Sequence, residues 1–478
     1  MNHDSSATRI AAAIERDLVG LAAGARLPSQ RELVARHSAS ASTIAQAVAL
    51  LTQRGLVESR PGAGSFRATP RPAGTRGDNR WQDAALELTE HLDHGVGGER
   101  RYVTGALGQT LGAYGADVVD LNGGYLHPSL GPTTLLSASL TRVSRRAEAW
   151  ERPPAAGVPE LRDWFARDIA PDLGRSDILV APGGQAALAT TLRALTQPGD
   201  TVVVESPTYP GTLAAALAAG LRPRGLPLDG EGLVPSYLDE ALTRTHARVV
   251  VVQPLHHNPT GVTMGAERRR EIRAVARAHD AFVIEDDFAR HLTHTDASTP
   301  PAPMIADDGD GTVIHLRSLT KPTSPNLRIA AIAARGPVMR RLREAAVTDA
   351  LLVPALLQHT ALDVVTAAGW RRAQRDLAEN LRRRRDACVT HLVRGLGADV
   401  LDVVNRGGYH LWLTCPDERD GAEVASAALA AGVAVTPGAN YYQAGHGGVP
   451  RVRLSYVAAP DEAELERGVA RLVEVLRD

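Results

Sequence analysis

A small module of three helices and a β-hairpin, followed by a large α/β domain with a smaller α+β subdomain, is the fold class the sequence predicts. Three observations carry it. After residue 118, short apolar β-rich runs alternate with helical segments, and buried strands arranged so give a mostly parallel sheet covered on both faces. Residues 8–68 show helical periodicity punctuated by Ser, Gly and Pro, then two strand-like pieces. Between these regions, residues 69–80 are rich in Pro, Gly and Arg and read as a linker.

The first helix is ATRIAAAIERDLVGLAAG, whose apolar spacing is helical and which stops at Gly24. A second follows Pro28 and Ser29, with Glu32 three residues after Ser29, the spacing of a capping box. A third opens at Ser40 or Ser42 and stops at Gly55. LVESRPGAGSFRA then folds about its Pro-Gly-Ala-Gly turn into a hairpin wing. Helix, helix, helix, hairpin is the order of a winged helix-turn-helix. Within 81–117, WQDAALELTEHL predicts a helix ahead of a Gly-rich stretch. The expected boundaries are 1–68 for the module, 69–117 for a linker with a helix, and 118–478 for the α/β domain, with its large part ending near 336.

In that domain the strands are expected at 201–206, 248–254, 281–287, 312–316 and 328–333. A long Arg-rich helical stretch, 337–396, precedes GGYHLWL, GVAVTP and RVRLSYV, the strands of the smaller part. The run Arg382–Arg385 reads as a solvated helix face.

Charge and cysteine content restrict function. The formal net charge is −1 over 478 residues, so any nucleic-acid contact must be local. Residues 1–70 hold eight Arg against five Asp or Glu, a local excess of three positive charges. Cys388 and Cys415 lack metal-ligand spacing, which argues against a disulfide framework or a zinc site and fits a reducing compartment. The N-terminus lacks a signal-peptide layout. No apolar run reaches the roughly 18 residues of a membrane span, so a cytoplasmic location without membrane contact is expected.

Of 53 basic residues, 52 are arginine and one is lysine, Lys321. A GC-rich coding bias explains the arginines but not the survivor. Arginine cannot replace lysine where an amine must form an imine with an aldehyde.

Polar motifs sit where strands end, the ligand-binding edge of open α/β sheets. VAPGGQAAL (180–188) is a strand, a glycine turn and a helix start, suited to phosphate. ESPTYPG (205–211) places Tyr209 where a ring could stack. HHNPTG (256–261) offers Asn258 as a donor to a phenolate oxygen, and VIEDD (283–287) offers a carboxylate for a pyridinium N–H. In SLTKPTSPNLR (318–328), Ser318 and Arg328 flank Lys321 and can bind phosphate. RVRLSY (451–456) supplies Arg453 for a carboxylate.

Together these motifs make residues 118–478 resemble the class I/II aminotransferases of PLP fold type I, PLP being pyridoxal 5′-phosphate. The resemblance implies Lys321 as the Schiff-base lysine. It implies Gly184, Gln185, Ala186, Ser318 and Arg328 around the phosphate and Tyr209 stacked on the ring. Asn258 would meet the ring oxygen, Asp286 (in second place Asp287) the ring nitrogen, and Arg453 an amino acid's carboxylate. One departure is Phe288, where the family has a tyrosine that also meets the ring oxygen.

Residues 24–66, with LPSQREL, STIAQAVALL and GLVESRPGAGSF, resemble the GntR-type winged helix-turn-helix. The fusion resembles the MocR/GabR regulators. On that resemblance Ser29, Arg31, Ser42, Thr43 and Arg60 would face double-stranded DNA, and Arg36, Arg54 and Arg67 could also reach phosphates. Ala41 departs from the family's usual arginine, so the operator or the affinity should differ. The implied function is a homodimeric transcription regulator sensing PLP, or an amine or amino acid that reacts with it. The alternative is a working aminotransferase acting on an amino acid and a 2-oxoacid, toward which Asn258 leans and from which Phe288 leans away.

Overall fold

The computed structural model describes residues 6–18, 20–60, 63–69, 100–103, 105–112, 114–443 and 448–477. The chain forms two compact units, parted between Leu92 and Asp93. The helix expected in 81–92 lies outside the described residues.

The N-terminal unit contains α1 (Ser6–Leu18), α2 (Gln30–His37), α3 (Ala41–Gln53) and the antiparallel pair β1 (Val57–Arg60) and β2 (Gly64–Arg67). Ser29 and Glu32 form the reciprocal capping box, with Ser29 N donating to Glu32 Oε2 at 2.7 Å. Of the two candidate starts for α3, Ser40 is the cap: its Oγ accepts from Thr43 N at 3.2 Å. Ala11, Ile14, Leu33, Ile44, Ala47, Leu51 and Val57 form one small core.

In the C-terminal unit a short helix, α4 (Gly105–Gln109), and a short strand, β3 (Val119–Asp120), come first. Five helices follow: α5 (Thr133–Val143), α6 (Pro159–Ile169), α7 (Gly184–Leu195), α8 (Pro210–Ala218) and α9 (Pro235–Thr245). Interleaved with them and with α10 (Ala266–Ala278) are β4 (Ile178–Ala181), β5 (Thr201–Ser206), β6 (Arg222–Asp229), β7 (Gly232–Leu233), β8 (Val249–Val252), β9 (Phe282–Asp287), β10 (Val313–Ser318) and β11 (Ala330–Ala334). These strands make one eight-stranded sheet of order β4-β11-β10-β9-β8-β5-β6-β7. The pairs β6-β5, β5-β8, β8-β9 and β9-β10 are parallel, while β11 and β7 run antiparallel to their neighbours. Successive residues enter opposite cores. Val203, Val250, Val283 and Val313 pack on one face, and Val202, Val251, Ile284 and Ile314 on the other.

The smaller part is a three-stranded sheet of β12 (His410–Thr414), β15 (Arg451–Ser455) and β14 (Thr436–Pro437). It is covered by α13 (Trp370–Leu396), α14 (Gly421–Ala430) and α15 (Glu462–Arg477). Two features differ from the sequence reading. The stretch 337–396 is three helices, α11 (Val338–Ala350), α12 (Ala355–Thr366) and α13, and residues of the first two pack into the cores of the large sheet. Conversely β3 pairs in parallel with β13 (Val433–Ala434), so Val119, Leu121 and Leu126 belong to the core of the smaller part. The chain thus crosses from the smaller part to the larger and back.

The expectation of a solvated face over Arg382–Arg385 holds at the exposed Arg383 and is corrected for the last two residues. Arg384 and Arg385 are buried, and Arg384 donates to the carbonyls of Tyr456 (3.2 Å), Ala459 (2.8 Å) and Pro460 (3.2 Å). Arg385 pairs with Asp296 at 2.8 Å and donates to Asn405 O at 3.0 Å. The two guanidiniums satisfy loop carbonyls that burial would otherwise strand.

Candidate cofactor site and DNA-binding module

The carboxyl ends of the parallel strands converge on one cavity. Lys321 follows β10, Asp286 is the penultimate residue of β9, Asn258 and Gln253 follow β8, and Tyr209 follows β5. Gly184 and Gln185 open α7 after β4, and Arg328 precedes β11. With Ser318 they all line the cavity. Ala186 does not appear on its wall; it lies in the first turn of α7, where only its backbone N–H can serve.

Gly183, the cap of α7, sits at φ 93°, ψ 163°, which brings the helix N-terminus against the Arg328 guanidinium. Arg328 donates to Pro182 O at 3.2 Å. An anion here meets the helix dipole, first-turn N–H groups and a guanidinium together.

Lys321 Nζ donates to Gly124 O at 2.7 Å and lies 4.0 Å from the centre of the Tyr125 ring. Desolvation, with the positive charges of Arg453 and Arg328, pushes its amine down to about 7. Asp286 accepts from Gln253 Nε2 at 2.7 Å, and burial raises its carboxyl to about 6. Asp287 is a different kind of group. Its carboxylate meets Arg290 at 3.0 Å and Arg317 at 3.1 Å, and these guanidiniums hold it far below the usual range despite burial. Glu285, Asp287 and His315 lie close enough together to be metal ligands. Arg269, the Met304 N–H and Arg317 already engage the carboxylates, so the cluster is an ion-pair network under β9.

Arg453 is buried on β15 outside the cavity wall, donating to Asn122 O and Thr436 Oγ1, with its Nε unpartnered. Phe288 lines the cavity and packs edge-on against Tyr409, centroids 6.5 Å apart. The sequence reading did not single out Gln253, Thr320, Tyr125 or Tyr409, all of which line the cavity.

The donors fit PLP. Gln185 Oε1, Asn258 Oδ1 and Thr320 Oγ1 are buried without partners around the lysine, and a buried polar atom needs one. A cationic phosphate seat at one end, an amine in the middle and a carboxylate opposite match the cofactor's three polar features.

In the N-terminal unit, Ser29, Arg31, Ser42 and Arg60 are exposed and Thr43 is half-buried. The Ser29 hydroxyl is engaged in its cap; Ser42 and Thr43 hydroxyls bond the Ser40 hydroxyl at 2.8 and 2.7 Å. Arg60 pairs with Glu58 at 3.4 Å and covers the Phe66 ring at 4.7 Å. Arg36 and Arg54 pair with Asp17 and Glu15, and Arg67 turns inward to Leu21 O.

The fold and cavity define a PLP-dependent protein of fold type I that carries a winged helix-turn-helix module. Residues 151–472 match the family model of class I and II aminotransferases, and residues 6–66 match that of bacterial regulatory proteins of the gntR family. The chain belongs to the class I and II aminotransferase family, in the form fused to a GntR-type regulatory module. The uncharacterized HTH-type transcriptional regulator YdfD of Bacillus subtilis is 27% identical over 462 residues, 95% of this chain and 92% of that one. The aromatic-amino-acid aminotransferase 1 of Thermococcus litoralis is 28% identical over 375 residues, covering 76% and 89%. Among solved structures, LysN, the α-aminoadipate aminotransferase of Thermus thermophilus complexed with N-(5′-phosphopyridoxyl)-L-leucine, superposes with TM-score 0.73 at 25% identity, covering 83% and 98%. Among the described residues no helix is long and apolar enough to cross a membrane.

Proposed function

We propose that the chain is a DNA-binding transcription regulator whose aminotransferase-like domain senses PLP, or an amine or amino acid that reacts with it. The observation that carries the sensing is the bonding of Asn122. Arg453, assigned to an effector carboxylate, donates to Asn122 O. The Asn122 side chain donates to Gln109 O at 2.7 Å and Tyr114 Oη at 2.8 Å. Gln109 closes α4, the first described helix beyond the linker from the DNA-binding module. A carboxylate at Arg453 competes with Asn122 O for the guanidinium. Ligand binding and the placement of Gln109 and Tyr114 are then linked, and linkage is reciprocal.

When bound, PLP supplies an aldehyde that condenses with primary amines and a ring that accepts electrons. Lys321 serves as the attachment amine, which its lowered pKa keeps substantially neutral near pH 7. Gly184, Gln185, Ala186, Ser318 and Arg328 seat the phosphate. Tyr209 covers the ring, Asn258 donates to its oxygen, and Asp286 holds its nitrogen proton. In the other unit Ser29, Arg31, Ser42, Thr43 and Arg60 face the operator, with Ala41 shifting its sequence. A homodimer and a cytoplasmic location complete the reading.

Asn258 on the cavity wall favours a second reading, a working aminotransferase. Two assays on Asn122→Ala separate them. A regulator loses the effector response of operator binding while retaining PLP. A metabolic enzyme turns over amino acids and 2-oxoacids at rates typical of enzymes and binds no operator.

A further inference from the structure

Phe288 removes a phenol from the cavity, yet the cavity has another at Tyr409. Tyr409 is buried just before β12 and its ring lines the cavity wall. Its hydroxyl donates to Gly124 O at 2.7 Å. Lys321 Nζ donates to that same oxygen, also at 2.7 Å. One acceptor therefore holds the phenol and the amine within twice that distance of each other. Nζ lies 5.9 Å from the centre of the Tyr409 ring, and the hydroxyl of that ring is the group that reaches the amine's oxygen partner. Phe288 packs edge-on against the same ring and fixes its plane. Burial holds the phenol protonated, so it is a donor throughout the neutral range.

We propose that Tyr409 is a positioning residue for the Lys321 amine, supplying beside it the phenolic hydroxyl that Phe288 lacks. This rests on the reading of Lys321 as the PLP attachment site. Free, the amine and the phenol share Gly124 O. Once the Lys321 nitrogen is engaged with the cofactor, the Tyr409 hydroxyl donates to it. A donor to the unprotonated form disfavours protonation. A merely structural tyrosine would leave the proton affinity of that nitrogen unchanged.

The test is a pH titration of the visible absorbance of PLP-loaded full-length protein. Tyr409→Phe should raise the midpoint by about 0.7 pH unit, roughly five-fold in proton affinity, the worth of one neutral hydrogen bond. Incorporating 3-fluorotyrosine at 409 keeps the ring and strengthens the donor, and should lower the midpoint. In Phe288→Tyr/Tyr409→Phe the midpoint should return toward the wild-type value. If Tyr409→Phe does not fold, the fluorotyrosine variant alone decides. A midpoint unmoved by either change overturns the proposal. Lys321→Ala is the separate control: a visible band that survives in it refutes the attachment site and leaves the Tyr409 result without its premise.

Discussion

Gly183→Ala tests whether the turn before α7 and Arg328 form one anion seat. At φ 93°, ψ 163°, Gly183 occupies a region reserved almost entirely to glycine, and a side chain there costs ~1–3 kcal/mol. The larger effect is local. A Cβ at 183 would stand 2.6 Å from both Cζ and Nη2 of Arg328, so the guanidinium must leave its place. Each charge-assisted hydrogen bond it gives a phosphate is worth about 1.5–3 kcal/mol. Losing one predicts a PLP Kd weaker by ~10- to 150-fold. Titration of the apo-protein with PLP, followed by visible absorbance, gives that number, and circular dichroism confirms the fold. A folded Gly183→Ala protein with a Kd within two-fold of wild type would refute the seat.

Two further outcomes follow from the same geometry. PLP uptake by the apo-protein should speed up as pH rises through about 7, because the Lys321 amine becomes nucleophilic above its lowered pKa; a rate still climbing only toward 10, as for an ordinary lysine, would contradict this. Arg384→Ala should cost ~2–4 kcal/mol in urea unfolding, since three carbonyls lose their donor, whereas Arg383→Ala, whose partner Glu462 is half-exposed, should cost under ~0.5 kcal/mol. Equal costs would show that Arg384 carries no buried bonding.

Much of this architecture was legible in the sequence because local rules and tertiary structure agree. TVVVES becomes β5 at the expected residues 201–206, and Ser29 with Glu32 forms the box its spacing announced. Lys321, Asp286, Asn258, Tyr209, Ser318 and Arg328 meet in one cavity because each lies at or just outside an end of a strand of one sheet. Long-range contacts were hidden. The Arg382–Arg385 run looked solvated because nothing local says that Arg384 meets carbonyls of residues 456–460. The division near 336 failed because α11 and α12 bury their apolar faces against the large sheet while β3 pairs across to β13. Gln253 and Tyr409 lie inside the runs RVVVVQP and GGYHLWL, which read only as strands, and only the sheets' topology aims them at Asp286 and Gly124. The aromatic of GGYHLWL, beside a Phe where a tyrosine was expected, was the available signal for the latter.

The central claim is that PLP chemistry at Lys321 governs DNA binding. The most direct measurement is binding of the full-length protein to its own upstream DNA, at fixed salt, with and without PLP, for wild type and Lys321→Ala. The account predicts specific binding that PLP alters in the wild type and leaves unaltered in Lys321→Ala. Binding that responds to PLP equally in both proteins, or no specific binding in any state, would contradict it.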